Sequence, residues 1–185
     1  MIAALLVAML LIETARPLID WTDGRWQHLR RNLGLTLVAF VAFALAGMGK
    51  LVVALWTSQT QTGLLYALDL SWPVRMALSL AAIDFVDYFL HRVQHAWPII
   101  WRFHRVHHAD PHLDATSSLR FHPFDALLQN GYQAALLPVL GIGFDAMVAF
   151  DTLLLAVLYV QHANVRWPAG VDRALRLVLQ RPTST

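Results

Sequence analysis

Hydrophobic residues fill long unbroken stretches of this chain, separated by short polar segments. The clearest stretch, 33–56, has 24 residues. As an α-helix it would be about 36 Å long, which is enough to cross a hydrocarbon core of about 30 Å. The stretch 72–90 predicts a second span. The apolar start, 1–12, is too short to cross alone and lacks the basic residue that a cleaved signal peptide would carry, although cleavage stays an alternative.

A third apolar stretch, 132–160, is interrupted near Gly141 and Gly143, a pair that predicts a turn. Each half would have about fourteen residues, a length more typical of re-entrant than of spanning helices. Arginines concentrate before and after this stretch, whereas 57–71 contains no Lys or Arg. By the positive-inside rule the basic segments face the cytoplasm. We therefore expect 132–160 to form a hairpin that leaves and re-enters the membrane on one face.

Composition supports a membrane protein. The chain is 57% hydrophobic and 14% charged, against about 25% charged in a soluble domain. A net charge of +2 is too small for a nucleic-acid binder. No Cys is present, which excludes cysteine-ligated iron–sulfur clusters. We predict an all-α, polytopic membrane helical bundle, with an N-terminal apolar helix and basic link over 1–32 and a membrane domain over 33–185.

Histidines supply the candidate chemistry, and seven of the nine lie between residues 91 and 122. His91 and His95 have the i, i+4 spacing that places two imidazoles on one helical face, and His104, His107 and His108 repeat it as i, i+3, i+4. Chance clustering explains this poorly. The five imidazoles predict a metal site on short interfacial helices at the cytoplasmic face, with these histidines as ligands and catalytic residues.

Two carboxylates share the helical stripe of the first pair. Asp87 precedes His91 by four residues, so we expect it to accept a hydrogen bond from the imidazole nitrogen that does not bind metal. Asp84 is either a deeper contact of the same kind or a polar contact between helices. For His122 two roles are open: a contact to a metal ligand, or a structural hydrogen bond.

Other polar residues are interpreted by position. The predicted hairpin returns His162 to the cytoplasmic face, so we expect it to bind the same metal, supported by Gln161 and Asn164. His28 is expected at the surface and His112 in a polar loop. Lys50 lies near the end of the first span, where its long side chain could reach the interface.

The motifs Asp87-Tyr-Phe-Leu-His91-Arg-Val-Gln-His95, Trp101-Arg-Phe-His104-Arg-Val-His107-His108 and His162-Ala-Asn164 closely resemble the fatty acid hydroxylase and sterol desaturase superfamily. The resemblance covers about residues 70–185. It implies an integral membrane oxygenase with a di-iron centre held by histidine boxes. His91 and His95 match the first box, the next three histidines the second, and His162 the solitary histidine before the last. A third box of the type His-x-x-His-His is expected after it but absent through Thr185, so we expect an incomplete domain.

The expected activity is O2-dependent hydroxylation or desaturation of a fatty acyl or sterol-like lipid. Imidazoles suit iron, copper or zinc, of which iron is preferred here. Electrons would come from a separate electron-transfer protein docking on the cytoplasmic face of a bacterial inner membrane. The lipid headgroup would lie near Arg102, Arg105 or Arg120. The alternatives are a membrane zinc hydrolase, a haem-carrying or structural protein, and an inactive remnant that lacks the third box.

Overall fold

A computed structural model describes residues 1–20, 24–177 and 179 of the chain. This part is all-α, as the sequence predicts, with eight α-helices and one 3₁₀ turn. The elements in chain order are α1 (Ile2–Ala15), α2 (Arg25–Thr60), α3 (Leu64–Ala67), α4 (Trp72–Ala96), α5 (Pro98–His108), the 3₁₀ turn (Ala115–Leu119), α6 (Pro123–Leu140), α7 (Phe144–His162) and α8 (Ala169–Arg176). Residues 178 and 180–185, at the end of the segment after His162 in which a third box was expected, lie outside the described residues.

Two helical segments among the described residues are long and apolar enough to cross a membrane, 25–67 and α7. α1 has 14 residues and is shorter than a span. α4 is one continuous helix of 25 residues, but Arg75, Asp84 and Asp87 interrupt its apolar surface and it is not one of the two segments. The span predicted at 72–90 stays a prediction.

The exposed surface of α2 carries large apolar side chains along most of its length. An apolar helix surface this long is costly in water and favourable in lipid. It therefore has the composition of a lipid-facing surface. Its exposed large apolar side chains include Leu33, Leu37, Val38, Phe40, Val41, Leu45, Met48, Val52 and Leu55.

The turn between α6 and α7 lies where the two glycines predict it. Gly141 ends α6 in the left-handed conformation, with φ 78°, which a residue without a Cβ adopts at little cost. The helices have 18 and 19 residues, or about 27 to 29 Å each. The expected length of about fourteen residues was wrong. α6 begins at Pro123, before the apolar stretch, and the turn divides the stretch unequally, so that α7 takes most of it.

The described chain forms two compact units built from separated segments. The first unit comprises Met1–Thr36, Val106–Arg120 and Thr152–Thr185, and the second comprises Leu37–Arg105 and Phe121–Asp151. The core of the first unit joins α1, the 3₁₀ turn and the end of α7 through Met9, Ala115, Tyr159, Ala163 and Val165. In the second unit α4 packs against α6 and α3, with Leu65, Ile83, Ala126 and Leu137 buried.

Lys50 differs from its predicted position. Its side chain is buried in the second unit, at 5% exposure, and does not extend to an interface. The ammonium lies 2.9 Å from the carboxylate of Asp151 and donates to Oε1 of Gln133 at 3.1 Å. Sequence position alone suggested an interfacial lysine because its partners lie more than 80 residues away. The pair gives the apolar helices of this unit a specific polar contact.

Candidate metal centre

Three imidazoles meet in the second unit. His91 and His95 lie one turn apart on α4, and Pro98, which cannot continue that helix, begins α5 and its His104. The ring centroids are 4.6 Å apart for His91 and His95, 4.9 Å for His91 and His104, and 5.0 Å for His95 and His104. One nitrogen of each ring lies within 4.8 Å of the other two. Three nitrogen donors therefore converge as a metal site requires.

A buried carboxylate orients the third of these rings. Nδ1 of His104 lies 3.0 Å from Oδ2 of Asp125, and Nε2 of Gln94 donates to Oδ1 of the same carboxylate at 2.7 Å. Asp125 is 1% exposed. Because a carboxylate oxygen accepts hydrogen bonds, Nδ1 is the donor in this contact, and Nε2 is the nitrogen left to bind a metal.

Burial and neighbouring rings keep the α4 imidazoles neutral. Both residues are partly exposed to solvent. The partial burial of His91, together with the neighbouring His104 and His95, lowers the pKa of His91 to about 4. Burial and His104 also lower the pKa of His95. Both rings are therefore neutral at pH 7, which is the state in which imidazole binds metal.

A second group of imidazoles lies in the first unit. His107 of α5 and His162 at the end of α7 have ring centroids 5.1 Å apart, and His108 lies 5.1 Å from His107. Nδ1 of His107 is 3.3 Å from the carbonyl oxygen of Arg120, and Nδ1 of His162 is 2.9 Å from that of Leu158. Carbonyl oxygens accept, so both rings carry the proton on Nδ1 and the lone pair on Nε2.

The donor set fits a metal ion by its chemistry. His104 and His107 belong to α5 and His162 ends α7. In each ring an oxygen acceptor fixes Nδ1 as the protonated nitrogen. Such contacts on the outer nitrogen accompany metal-binding histidines in general, because they set the tautomer and the ring orientation. Neutral imidazoles suit iron, zinc and copper.

A buried polar network supports His107 through Arg120. The Arg120 guanidinium lies 3.2 Å from Oδ2 of Asp110 and donates to Oδ1 of Asn32 at 3.0 Å. Asn32 in turn donates to Asp110 at 3.0 Å. The Arg120 guanidinium is therefore paired inside the first unit. The lipid headgroup expected near Arg102, Arg105 or Arg120 stays a prediction. The Arg120 carbonyl is held where Nδ1 of His107 can donate.

His28 also belongs to this network. It is 6% exposed, and its Nε2 lies 3.5 Å from Asp110 and 3.6 Å from Asp114. The surface position expected for it was wrong, because the helix that begins at Arg25 turns His28 towards the polar loop after α5. His112 of that loop is half-buried beside it, with ring centroids 6.4 Å apart.

The remaining predicted residues differ in exposure and in hydrogen bonding. His108 lies one turn beyond His104 on the same face of α5 and is exposed. Asp84 is exposed on α4. His122 caps α6, where its Nδ1 accepts the backbone N–H of Phe124 at 3.1 Å. Of its two expected roles, His122 therefore has the structural hydrogen bond.

Asp87 differs from the expectation that it would orient His91. Its carboxylate accepts hydrogen bonds from the Tyr132 hydroxyl and from Nε2 of Gln133, the latter at 2.8 Å. Within the described ranges, the carboxylate of Asp125 contacts an imidazole of the second box, that of His104. Sequence reasoning missed Asp125 although it stands three residues after His122, because a residue 21 positions from His104 has no periodic relation to it.

A family model described as fatty acid hydroxylase matches residues 76–183, more than half of the chain. The chain belongs to the fatty acid hydroxylase family. This confirms the resemblance based on the histidine motifs, and the apolar helices together with the family make the chain a membrane protein. All three groups of motif histidines lie inside the matched region of the fatty acid hydroxylase model.

One protein with a described activity is similar to this chain. Ornithine lipid hydroxylase OlsE from Rhizobium tropici is 28% identical over 101 residues, which cover 54% of this chain and 30% of the relative. The aligned region thus spans less than a third of that protein's length. No solved structure matches the chain.

Proposed function

We propose that this chain is a membrane-bound lipid hydroxylase that uses O2 and iron held by its imidazoles. The hydrogen bonding of His104, His107 and His162 supports this most directly, because it leaves Nε2 as the metal-binding nitrogen in all three rings. Membership of the fatty acid hydroxylase family supports the reaction class.

Six histidines would hold the metal: His91, His95, His104, His107, His108 and His162. Bound iron would supply the activation of O2 that an unactivated C–H bond requires. Asp125 would strengthen the donor nitrogen of His104, since a carboxylate on the outer nitrogen raises the basicity of the ring. Arg120 would hold His107 in place through its carbonyl oxygen.

The substrate would be a lipid that enters from the bilayer, since the chain is a membrane protein. The similar relative is named for hydroxylation of an ornithine lipid, which favours hydroxylation over desaturation and an amino-acid or fatty acyl lipid over a sterol. Electrons would come from a separate electron-transfer protein that docks on the cytoplasmic face.

Iron content and oxygen incorporation test the proposal together. The chain is produced in bacterial membranes with added iron, purified in mild detergent and analysed for metals. Lipids from the same cells grown under ¹⁸O2 are then examined by mass spectrometry. We expect bound iron and lipids that contain one labelled oxygen atom. His104→Asn should remove both, whereas His122→Asn should keep both because asparagine also caps helices well.

Other outcomes separate the alternatives. Zinc without labelled lipid, combined with hydrolysis of a lipid ester or amide, would replace the hydroxylase by a zinc hydrolase. A haem absorption band would assign the histidines to haem. Iron binding without labelled lipid, when an electron-transfer protein and reductant are supplied, would contradict the hydroxylase.

A further inference from the structure

Two arginines are held opposite one another in the first unit. The segments after α1 and after α7 form an antiparallel bridge between Pro17 and Val165. In this register Arg16 lies opposite Arg166, whose N–H donates to the Arg16 carbonyl at 2.9 Å. Asn164 fixes the register by accepting the N–H groups of Leu18 and Ile19 through its side chain, at 3.1 and 2.9 Å. Residues directly opposite in antiparallel pairing extend their side chains on the same face.

These arginines border a cavity of about 600 Å³. Asp20, Trp167 and Pro168 are among the other residues that line it. Tryptophan is typical of the boundary between lipid and water, where its ring meets acyl chains and its N–H meets polar groups. The cavity therefore combines two cations, one anion and an interfacial aromatic side chain.

The charges that line the cavity are not neutralised from within the described chain. Among the residues that the structure describes, no ion pair or side-chain hydrogen bond engages Arg16, Arg166 or Asp20. Like charges placed opposite one another destabilise a pairing, yet backbone bonds hold this pair in register. An anionic group between the two guanidiniums would remove the repulsion and accept hydrogen bonds from both. A cationic group beside it would pair with Asp20.

We propose that this cavity binds the headgroup of a zwitterionic membrane lipid, with a phosphate or carboxylate between Arg16 and Arg166 and a primary ammonium at Asp20. The bound lipid would be the one that is hydroxylated, and in this respect the proposal rests on the function proposed above. Arg166 follows His162 by four residues, so the backbone between them spans at most about 14 Å. The oxidised carbon would then lie near the headgroup and not at the far end of an acyl chain.

Lipid binding to the metal-free chain tests the site without requiring turnover. The full chain in detergent is titrated with dioleoyl phosphatidylethanolamine, phosphatidylglycerol and phosphatidylcholine, and bound lipid is counted by native mass spectrometry. We expect phosphatidylethanolamine to bind about tenfold more tightly than the other two, because it offers both the anion and an ammonium that donates hydrogen bonds.

The variants separate the two halves of the site. Arg16→Ala combined with Arg166→Ala should weaken phosphatidylethanolamine and phosphatidylglycerol about tenfold or more. Asp20→Asn should weaken phosphatidylethanolamine and leave phosphatidylglycerol unchanged. The control Arg31→Ala, an exposed arginine of α2, should change neither.

Several results would overturn the proposal: equal affinity for the three lipids, equal effects of Asp20→Asn on all of them, or an equal loss in Arg31→Ala. Soluble glycerophosphoethanolamine binding as tightly as the intact lipid would make the ligand a free phosphate ester and also overturn it. Selective binding by a chain that forms no product would contradict the hydroxylase and leave the headgroup site standing.

Discussion

Asp125 accepts a hydrogen bond from Nδ1 of His104 at 3.0 Å, with both side chains buried. This contact decides which nitrogen of His104 can bind a metal, and it joins the first turn of α6 to the second histidine box. Gln94, within the first box, donates to the same carboxylate. One buried acid thus contacts a residue of each box, Gln94 of the first and His104 of the second.

Replacing Asp125 with Asn should weaken metal binding while preserving the fold. Asparagine has nearly the same shape but no charge, so we expect a 10- to 100-fold lower iron affinity. Iron per chain and competition with a chelator measure the effect, and thermal unfolding checks the fold. Asp145→Asn, at an exposed carboxylate that accepts from Trp72, is the matched control. Unchanged iron affinity in Asp125→Asn would mean that Asp125 does not orient a ligand.

Glu13 should make stability depend on pH. Its carboxylate is fully buried and accepts the N–H groups of Ala115 and Asn164, and burial, with the charge of Asp114, raises its pKa to about 7 from 4.5. Between these values the unfolded chain ionises while the folded chain keeps the proton. The contribution of Glu13 to the free energy of unfolding therefore falls as pH rises from about 4.5 to 7, by on the order of 3 kcal/mol.

Comparison with Glu13→Gln isolates this effect, because glutamine can accept the same N–H groups but does not titrate. The unfolding temperature of both proteins is measured in detergent from pH 4.5 to 8. The variant should gain stability relative to the parent chain up to about pH 7 and hold that advantage above it. Parallel curves across the whole range would rule out titration of Glu13.

Breaking the pair of Lys50 and Asp151 should destabilise the second unit. Lys50→Met leaves Asp151 and Gln133 without the ammonium, and we expect a loss of about 1 to 3 kcal/mol, reduced because Asp151 is 34% exposed. Lys50→Met combined with Asp151→Leu should recover part of the loss, because no unpaired charge is left. Unfolding in detergent measures these two variants and Asp151→Leu alone. A double variant that loses as much as the two single changes added together would show that the pair does not interact.

Gly63 should not tolerate a side chain. A Cβ there would lie 2.3 Å from the backbone nitrogen of Gly141 and 2.4 Å from the Pro138 carbonyl oxygen, at φ 106°. Gly63→Ala therefore forces the backbone of the α6–α7 turn to shift, and we expect a loss of at least about 2 kcal/mol. Gly131→Ala, in open space on α6, should instead stabilise by about 0.5 to 1 kcal/mol. Equal thermal stability of the two variants would contradict the close approach.

His122 should prove replaceable where a metal ligand would not be. His122→Ala removes the cap of α6 and should cost about 0.5 to 2 kcal/mol, while His122→Asn keeps a capping acceptor and should cost less. Iron content should be unchanged in both variants once it is normalised to folded protein. Loss of iron from a folded His122→Asn protein would assign the ring to the metal site.

Local patterns in the sequence predicted those structural features that depend only on residues close together along the chain. The spacing of His91 and His95, and of His104 and His108, follows from helical geometry, which places residues four apart on one face whatever packs around them. Gly141 and Gly143 predicted the turn for a similar reason, since the need for a left-handed residue is local. The family could be identified because its motifs are themselves local.

Contacts over long separations could not be predicted in this way. Lys50 and His28 were placed wrongly because their carboxylate partners lie far along the chain. Which carboxylate meets an imidazole depends on how α4, α5 and α6 pack, and the spacing favoured Asp87 whereas packing brought Asp125 to His104.

The sequence by itself determined that the chain is helical, apolar and rich in imidazoles at metal-binding spacing, because backbone geometry and side-chain hydrophobicity act over a few residues. Only the tertiary structure decided which oxygen atom faces each imidazole, which charges are buried in pairs, and that Arg16 stands opposite Arg166. These pairings join segments that are up to 150 residues apart, and only the packed chain brings them into contact.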